Sequence, residues 1–461
     1  MINDSYKWPR PIGFTPFDHQ RETASFLTDN SRAFCFNEQG TGKTASVIWA
    51  ADYLMKAGLV KRVLVVCPLS IMQSAWQNDL FKFAVHRTVD VAYGSADKRN
   101  KIAGSKAEFV IINYDGISSI AELAAANKMF DLVVIDEANA YKNVQTKRWK
   151  IMRKLITPDT WLWMLTGTPA AQSPVDAYGL GKLCVPNRAP RFLGDYRDSV
   201  MLKVGMFRWT PRPDAEKTVF NMLQPAIRFE KSQCLDLPDV TYTTRIAPLT
   251  PQQRKYYKEL KEQMLMEAAG EEISTVHAAA KMNKLLQISC GSVYTDSGAV
   301  VDFDVSNRLS VVEEVVNEAS HKVLIFVPFR HTITLLNSYL TNAGIKCDVI
   351  HGDVQVRNRT AIFKKFQEAN DLKVLIIQPQ AAAHGVTLTA ADTIIWYAPT
   401  TSTETYLQAN ARIDRPGQHH PMTVVHIEGS PIERRLYFML QNNITNHEKI
   451  VDLYKKELVD T

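Results

Sequence analysis

The stretch Asn37-Glu38-Gln39-Gly40-Thr41-Gly42-Lys43-Thr44 has the composition of a polyphosphate cradle. Glycine lets the backbone approach phosphate closely, a lysine reaches the terminal phosphates, and a neighbouring hydroxyl can ligate Mg2+. Gly40, Thr41, Gly42, Lys43 and Thr44 are therefore assigned to a nucleotide. A strict version of this loop has glycine where the chain has Asn37. Far downstream, Gln-Ala-Asn-Ala-Arg-Ile-Asp-Arg-Pro-Gly-Gln at 408–418 carries Arg412 and Arg415, spaced to share one helix face. A guanidinium is planar, permanently ionised and able to donate two bonds at once, which suits phosphate charge that develops during transfer. Asp136 and Glu137 supply carboxylates, Asp136 to hold Mg2+ through water together with Thr44, and Glu137 to polarise an attacking water. The chemistry implied is hydrolysis of a nucleoside triphosphate with Mg2+, with Lys43, Glu137, Arg412 and Arg415 as the catalytic set.

These residues need elements to hold them. An apolar run, 33–36, precedes the loop and a helical pattern, 45–55, follows it, giving the strand, loop and helix order in which backbone N–H groups surround phosphate. Asp136 and Glu137 follow the run 131–135, at the carboxyl end of a strand, where α/β sheets bind their ligands. Further apolar runs at 63–67, 109–112 and 161–165 alternate with helical patterns at 17–28, 43–57 and 70–83. A second series occupies 323–327, 347–350, 373–377, 393–397 and 423–427. Short continuous apolar runs suit buried parallel strands, so the fold class is α/β with two parallel-sheet units in tandem. Between them, about 170–305, prolines break the rhythm and charged helical runs such as 251–269 follow. Leu237 and Pro238 set the boundary, since proline disfavours helix in the residue before it. The expected domains are 1–238, with a helical excursion after about 170, and 239–461, preceded by a helical segment at about 251–305.

Two further stretches lie near this chemistry. Gln20 sits at a helix start with Asp18 as the expected N-cap, and its amide has both a donor and an acceptor for an adenine edge. Leu165-Thr166-Gly167-Thr168-Pro169 follows a strand and offers two hydroxyls beside a glycine, apt for phosphate or a nucleic-acid backbone.

With 461 residues the chain exceeds what one hydrophobic core usually supports. Its 46% apolar and 22% charged composition is that of a globular protein, and no stretch approaches the roughly 20 apolar residues of a membrane span. The start lacks a secretory pattern, and the six cysteines are scattered without a CxxC pair, the usage expected of reduced thiols in an intracellular protein. His419 and His420 are adjacent and cannot share a helix face, so no metal site is expected from histidine or cysteine spacing. Trp161, Trp163, Trp396 and Tyr397 lie in apolar strands and are expected in the core. A net charge of +6 permits a polyanionic partner without demanding one.

The order of these pieces resembles the SNF2 branch of the superfamily 2 helicases and translocases over nearly the whole chain. NEQGTGKT is similar to its motif I, which tolerates a polar residue at the place of Asn37, VVCPLSIMQSAW to motif Ia, VIINYDGI to the following strand motif, VVIDEAN to motif II, and LTGTPAAQSPVDAYGL to motif III. VLIFVPF with IHGD resembles motif IV and its neighbour, AAAHGVTLTAADTIIWY motif V and QANARIDRPGQ motif VI. The resemblance implies two RecA-like lobes with ATP in the cleft between them, the arginines facing Lys43, Thr44, Asp136 and Glu137, and Gln20 and Gly385 also at the nucleotide. It implies DNA gripped through phosphates by Pro68, Ser70, Tyr114, Thr168, Gly352 and Thr387, with little sequence preference and strong salt dependence. Two positions depart from the family. Asn139 stands where motif II usually has histidine, which bears on coupling to motif III, and Thr401 stands where chromatin remodellers carry tryptophan. The chain is closer in pattern to compact bacterial and bacteriophage members.

Four functions compete at this point. A translocase on duplex DNA, working as a monomer, is the leading expectation. A strand-separating or fork-remodelling helicase in replication, recombination or repair, acting on forked or single-stranded DNA, uses the same ATP chemistry. A DNA-binding scaffold switched by ATP and an RNA-directed motor complete the set.

Overall fold

The computed structural model describes residues 2, 3, 5–170, 173–205, 209–234, 237–268, 275–294, 300–382 and 386–442. They form two compact units, the second beginning at Leu237.

The first unit is built on β1 (Arg32–Cys35), β2 (Val63–Cys67), β3 (Val89–Ala92), β4 (Phe109–Asn113), β5 (Leu132–Ile135), β6 (Trp161–Leu165) and a short β9 (Ala226–Ile227). They make one sheet in the order β3-β4-β2-β5-β6-β1-β9, every pair parallel. A separate hairpin, β7 (Met201–Lys203) with β8 (Trp209–Pro211), lies outside that sheet.

Side chains alternate across a strand, and here both faces are buried. Phe34, Leu64, Val66, Val110, Ile112, Val133 and Ile135 enter one core, and Ala33, Cys35, Val63, Val65, Ile111, Val134 and Trp163 enter the other. That is why these strands read as continuous apolar runs. Each fully buried aliphatic side chain contributes about 1.5–3 kcal/mol of transfer free energy, which makes the central strands the rigid base for the loops at their carboxyl ends.

The second unit repeats the plan. Its strands are β10 (Val240–Ile246), β13 (Lys322–Phe326), β14 (Cys347–Ile350), β15 (Val374–Ile377), β16 (Ala391–Trp396) and β17 (Met422–Glu428), with a small antiparallel pair, β11 (Ser292–Tyr294) and β12 (Val300–Asp302). The six-stranded sheet runs β10-β17-β16-β13-β15-β14, all parallel. Trp396 and Tyr397 are fully buried, and the Trp396 indole donates to Asn410 Oδ1 at 2.9 Å. Arg308 is buried against Glu433, and Glu433 also accepts from the backbone N–H groups of Gly429 and Ser430, which fixes the start of helix Pro431–Gln441.

The helix after the phosphate loop, α2 (Lys43–Lys56), is anchored at its far end through a buried carboxylate. Asp52 accepts from the Tyr6 hydroxyl at 2.7 Å and Arg87 Nε at 2.7 Å, pairs with Lys56 at 2.9 Å and meets His86 at 2.7 Å. Burial works to raise its pKa, but the bonds from Lys56, Tyr6, Arg87 and His86 outweigh it and hold the carboxyl at about 2. Among the described residues, no helix is long and apolar enough to cross a membrane.

Candidate nucleotide site

The phosphate loop leaves β1 at Cys35 and enters α2 at Lys43. Gly40 and Gly42 take positive φ, 87° and 78°, which only glycine adopts without steric cost. Gly42 is the N-cap of α2 and brings no capping side chain, so the first-turn N–H groups keep their capacity for an anion. A Cβ at Gly42 would come within 2.1 Å of Gln20 Nε2, so this glycine also makes room for the side chain packed on the loop. Lys43 Nζ donates to the carbonyls of Asn37 at 2.7 Å and Glu38 at 3.1 Å, which curls the ammonium back over its own loop. Thr41 is buried, with its hydroxyl on the Glu38 carbonyl at 2.7 Å, and Thr44 is half-buried in the first turn of α2.

Asn37 is a brace. Its side-chain NH2 donates to Thr23 Oγ1 at 2.8 Å and its Oδ1 accepts from the Phe229 N–H at 3.0 Å. The loop is tied further to the segment after β9, because Glu38 N–H donates to the Phe229 carbonyl at 3.0 Å and Glu38 Oε2 accepts from Lys231 N–H at 3.0 Å. A glycine at 37 would make neither side-chain bond.

Helix α1 (Asp18–Asp29) carries Gln20 against this loop. The expected cap is corrected: Phe17, not Asp18, is the N-cap residue, and Gln20 Oε1 takes the Phe17 N–H at 3.0 Å while Asp18 is exposed beside Arg21. Gln20 Nε2 points to the Thr41 carbonyl at 3.4 Å. These two bonds leave one lone pair and one N–H of the amide uncommitted. His19, which the sequence reading passed over, holds the same carbonyl at 2.8 Å.

Asp136 and Glu137 follow β5, and Asp136 N–H extends the ladder to the Val66 carbonyl at 2.9 Å. Glu137 has φ 48° and ψ 55°, a left-handed conformation that is uncommon for a residue with a Cβ and costs of order 1–3 kcal/mol. Asp136 Oδ1 accepts the Glu137 N–H at 2.9 Å, and Asp136 Oδ2 accepts the indole N–H of Trp76 at 2.9 Å. Burial pushes the Asp136 carboxyl above the usual carboxylate range, against the pull of the Trp76 bond and the Lys43 charge. The Tyr114 hydroxyl donates to the carbonyls of Asp136 at 2.6 Å and Glu137 at 3.1 Å, and burial with those two carboxylates keeps the phenol firmly protonated.

The loop after β6 lies against the phosphate loop. A Cβ at Gly167 would sit 3.7 Å from the Asn37 carbonyl, and Thr168 Oγ1 accepts from Asn139 Nδ2 at 3.3 Å. Thr44 and Asp136 bring oxygen donors only, the hard set that suits Mg2+ bound through a hydroxyl, one carboxylate and phosphate oxygens. Among the described residues, no cluster of three or more His, Cys, Asp or Glu side chains is placed to hold a metal by protein ligands alone.

In the second unit, the shared helix face expected of Arg412 and Arg415 is corrected. The helix Thr403–Asn410 ends before both, and they lie in the turns that follow. Pro416 disfavours helix at Arg415, and Gly417 turns the chain at φ 97°. Arg412 is 1% exposed with Nε on the Gln408 carbonyl at 2.7 Å, and Arg415 Nε bonds the Ala411 carbonyl at 2.7 Å. Arg415 Nη1 reaches the Thr387 hydroxyl at 3.4 Å, so these two expected site residues are neighbours. Gly385 lies outside the described residues.

Of the residues expected at DNA, Gly352 and Thr387 are exposed, Ser70 and Thr168 half-buried, and Pro68 buried. Gly352 N–H is held by Gln378 Oε1 at 3.0 Å. Tyr114 has its hydroxyl committed beneath Asp136 and Glu137, and the Arg148 guanidinium lies 4.9 Å over its ring.

A nucleotide-shaped loop and an acidic pair on one parallel sheet, with an arginine turn on a second, define a two-lobed RecA-like helicase core. The SNF2-related domain family matches residues 19–291, more than half of the chain, and the helicase conserved C-terminal domain matches 307–417. The chain belongs to the SNF2 family of superfamily 2 helicases. An uncharacterized ATP-dependent helicase of Mycoplasma genitalium is 26% identical over 432 residues, covering 92% of this chain and 40% of that protein. Protein p41 of Acyrthosiphon pisum secondary endosymbiont phage 1 is 22% identical over 448 residues, covering 90% and 93%. The Sulfolobus solfataricus SWI2/SNF2 ATPase core in complex with dsDNA is a structural neighbour with 20% identity, coverage of 99% and 97%, and a TM-score of 0.46. The chain spans about two fifths of the length of the Mycoplasma relatives it matches.

Proposed function

We propose that this chain is a DNA-stimulated ATPase that translocates along DNA, duplex favoured, as a monomer. The observation that carries the ATPase reading is the phosphate loop itself: two left-handed glycines, an uncapped helix start and Lys43 curled onto loop carbonyls that a triphosphate would replace. Those N–H groups and Lys43 would bind the phosphates, Thr44 and Asp136 would hold Mg2+, and Glu137 would polarise the attacking water. Mg2+, when bound, neutralises phosphate charge and fixes the phosphate geometry. Arg412 and Arg415 are assigned to the charge that develops on the transferred phosphoryl group, which their fork geometry suits.

Family membership supports DNA as the polymer, with Ser70, Thr168, Gly352 and Thr387 meeting backbone phosphates, while Pro68 and Tyr114 shape the loops that present them. Grip on phosphates predicts weak sequence preference and affinity that falls steeply with salt.

The test is steady-state ATPase activity with duplex, single-stranded, forked and RNA ligands, combined with displacement of a triplex-forming third strand. Duplex-stimulated turnover with third-strand displacement, both abolished in Lys43→Ala, is the expected result. Efficient strand separation with an ATPase blind to duplex would move the assignment to a helicase, and equal, negligible turnover in both proteins would overturn the motor reading.

A further inference from the structure

The backbone between β2 and the next α-helix is unusual. After Pro68 the chain makes a 3-10 turn, Leu69–Ile71, then a π-helical segment, Met72–Gln77, before settling into the helix Asn78–Phe83. π-Helical turns are rare and concentrate at functional sites, because the wider turn redirects a side chain that an α-helix would send elsewhere. The side chain near the end of this segment is Trp76, fully buried, with its indole N–H on Asp136 Oδ2 at 2.9 Å. β2 and β5 are paired with Val66 opposite Ile135, so the segments leaving the two strands are neighbours and Trp76 reaches across to the acidic pair. The Glu137 N–H holds the other oxygen, Oδ1, at 2.9 Å. Each Asp136 oxygen thus has one N–H donor, which fixes the plane of the carboxylate.

We propose that Trp76 is a positioning residue for the Mg2+ site, acting through Asp136: its indole N–H sets the orientation in which that carboxylate meets the ion and its waters. The inference rests on Asp136 being the Mg2+ carboxylate in the proposed ATPase. Partners of this kind, which hold a ligand rather than the ion, are worth about 10- to 100-fold in metal affinity or activity. The loss would fall on Mg2+, since the phosphate loop binds the nucleotide through groups that Trp76 does not touch.

The experiment compares wild type, Trp76→Phe and a control, Trp149→Phe, which removes an indole bond to the Gly179 carbonyl elsewhere in the same unit. Binding of a fluorescent ATP analogue is measured without Mg2+ and then across a Mg2+ titration. The expected result is unchanged Mg2+-free affinity in all three proteins and a half-saturating Mg2+ concentration raised about 10-fold or more in Trp76→Phe alone. An unchanged Mg2+ midpoint in folded Trp76→Phe, or an equal loss with and without Mg2+, would overturn the proposal. Wild type that binds no nucleotide at all would instead sink the ATPase reading. A second measurement needs no variant at position 76 to fold: in wild type carrying 15N-labelled tryptophan, an indole N–H signal of a solvent-protected tryptophan should move when Mg2+ joins bound nucleotide. No tryptophan signal moving on Mg2+ addition would also overturn the proposal.

Discussion

The side-chain amide of Asn139 donates to the hydroxyl of Thr168 at 3.3 Å, joining the segment that carries the acidic pair to the loop after β6. Histidine is usual at this place in the family, and the sequence alone left it open whether asparagine could serve. A neutral amide makes the bond. Asn139→Ala should lower DNA-stimulated turnover by about 2- to 10-fold, the worth of one neutral hydrogen bond, with little change in KM for ATP. Thr168→Val should do the same, and the double variant no more than either. Asn139→His should restore turnover above neutral pH and add a pH dependence near the usual imidazole range. A pH-rate series on wild type and the four variants checks all three statements.

Asn37 occupies the place of a glycine yet ties the phosphate loop to Thr23 and Phe229. Restoring the strict pattern should therefore harm this protein. Asn37→Gly strands the half-buried Phe229 N–H and is expected to cost about 1–3 kcal/mol of stability in the first unit. Asn37→Asp keeps the acceptor for Phe229 but loses the donor to Thr23 Oγ1, whose own proton is on the His19 carbonyl at 2.7 Å, so it should retain only one of the two bonds and cost less than glycine. Urea denaturation followed by tryptophan fluorescence ranks the three.

Asp52 gives the molecule an acid-sensitive anchor. Its carboxyl is held at about 2, below its ordinary value near 4, so the stabilisation is complete above that ordinary value and is lost as pH falls from about 4 towards 2. Asp52→Asn should remove this pH dependence. It should also destabilise the fold by about 1–3 kcal/mol at neutral pH, because Arg87 loses its buried carboxylate and keeps only Glu108 at 2.7 Å. Melting temperatures of the two proteins between pH 2 and pH 7 read both effects; parallel curves would refute the anchor.

The parallel strands at 63–67, 109–113 and 323–326 were legible because burial on both faces leaves no polar position to interrupt them. β3 and β10 were not. β3 is a half-buried edge strand of four residues, and β10 reads Val-Thr-Tyr-Thr-Thr-Arg-Ile with mostly exposed side chains, held by its pairing to β17 rather than by its own apolarity. The residues assigned to the proposed chemistry stand out by type, since phosphate and Mg2+ constrain side chains directly. Their supports were hidden. Trp76 looks like any core tryptophan in sequence, and His19 like any helix histidine, because a bond across sixty residues or to a backbone carbonyl leaves no local pattern. The end of the helix before Arg412 was readable from Pro416 and Gly417, but the spacing of the arginines suggested helix more strongly.

Glu137 sits at φ 48°, a conformation that favours glycine or asparagine over glutamate. The residue proposed to activate water is thus placed where the backbone alone would prefer another residue. Substitution by either small residue should yield a protein that melts higher and turns over nothing, whereas glutamine keeps the backbone penalty with the carboxylate gone. If the proposed role holds, this one torsion angle is where stability gives way to chemistry.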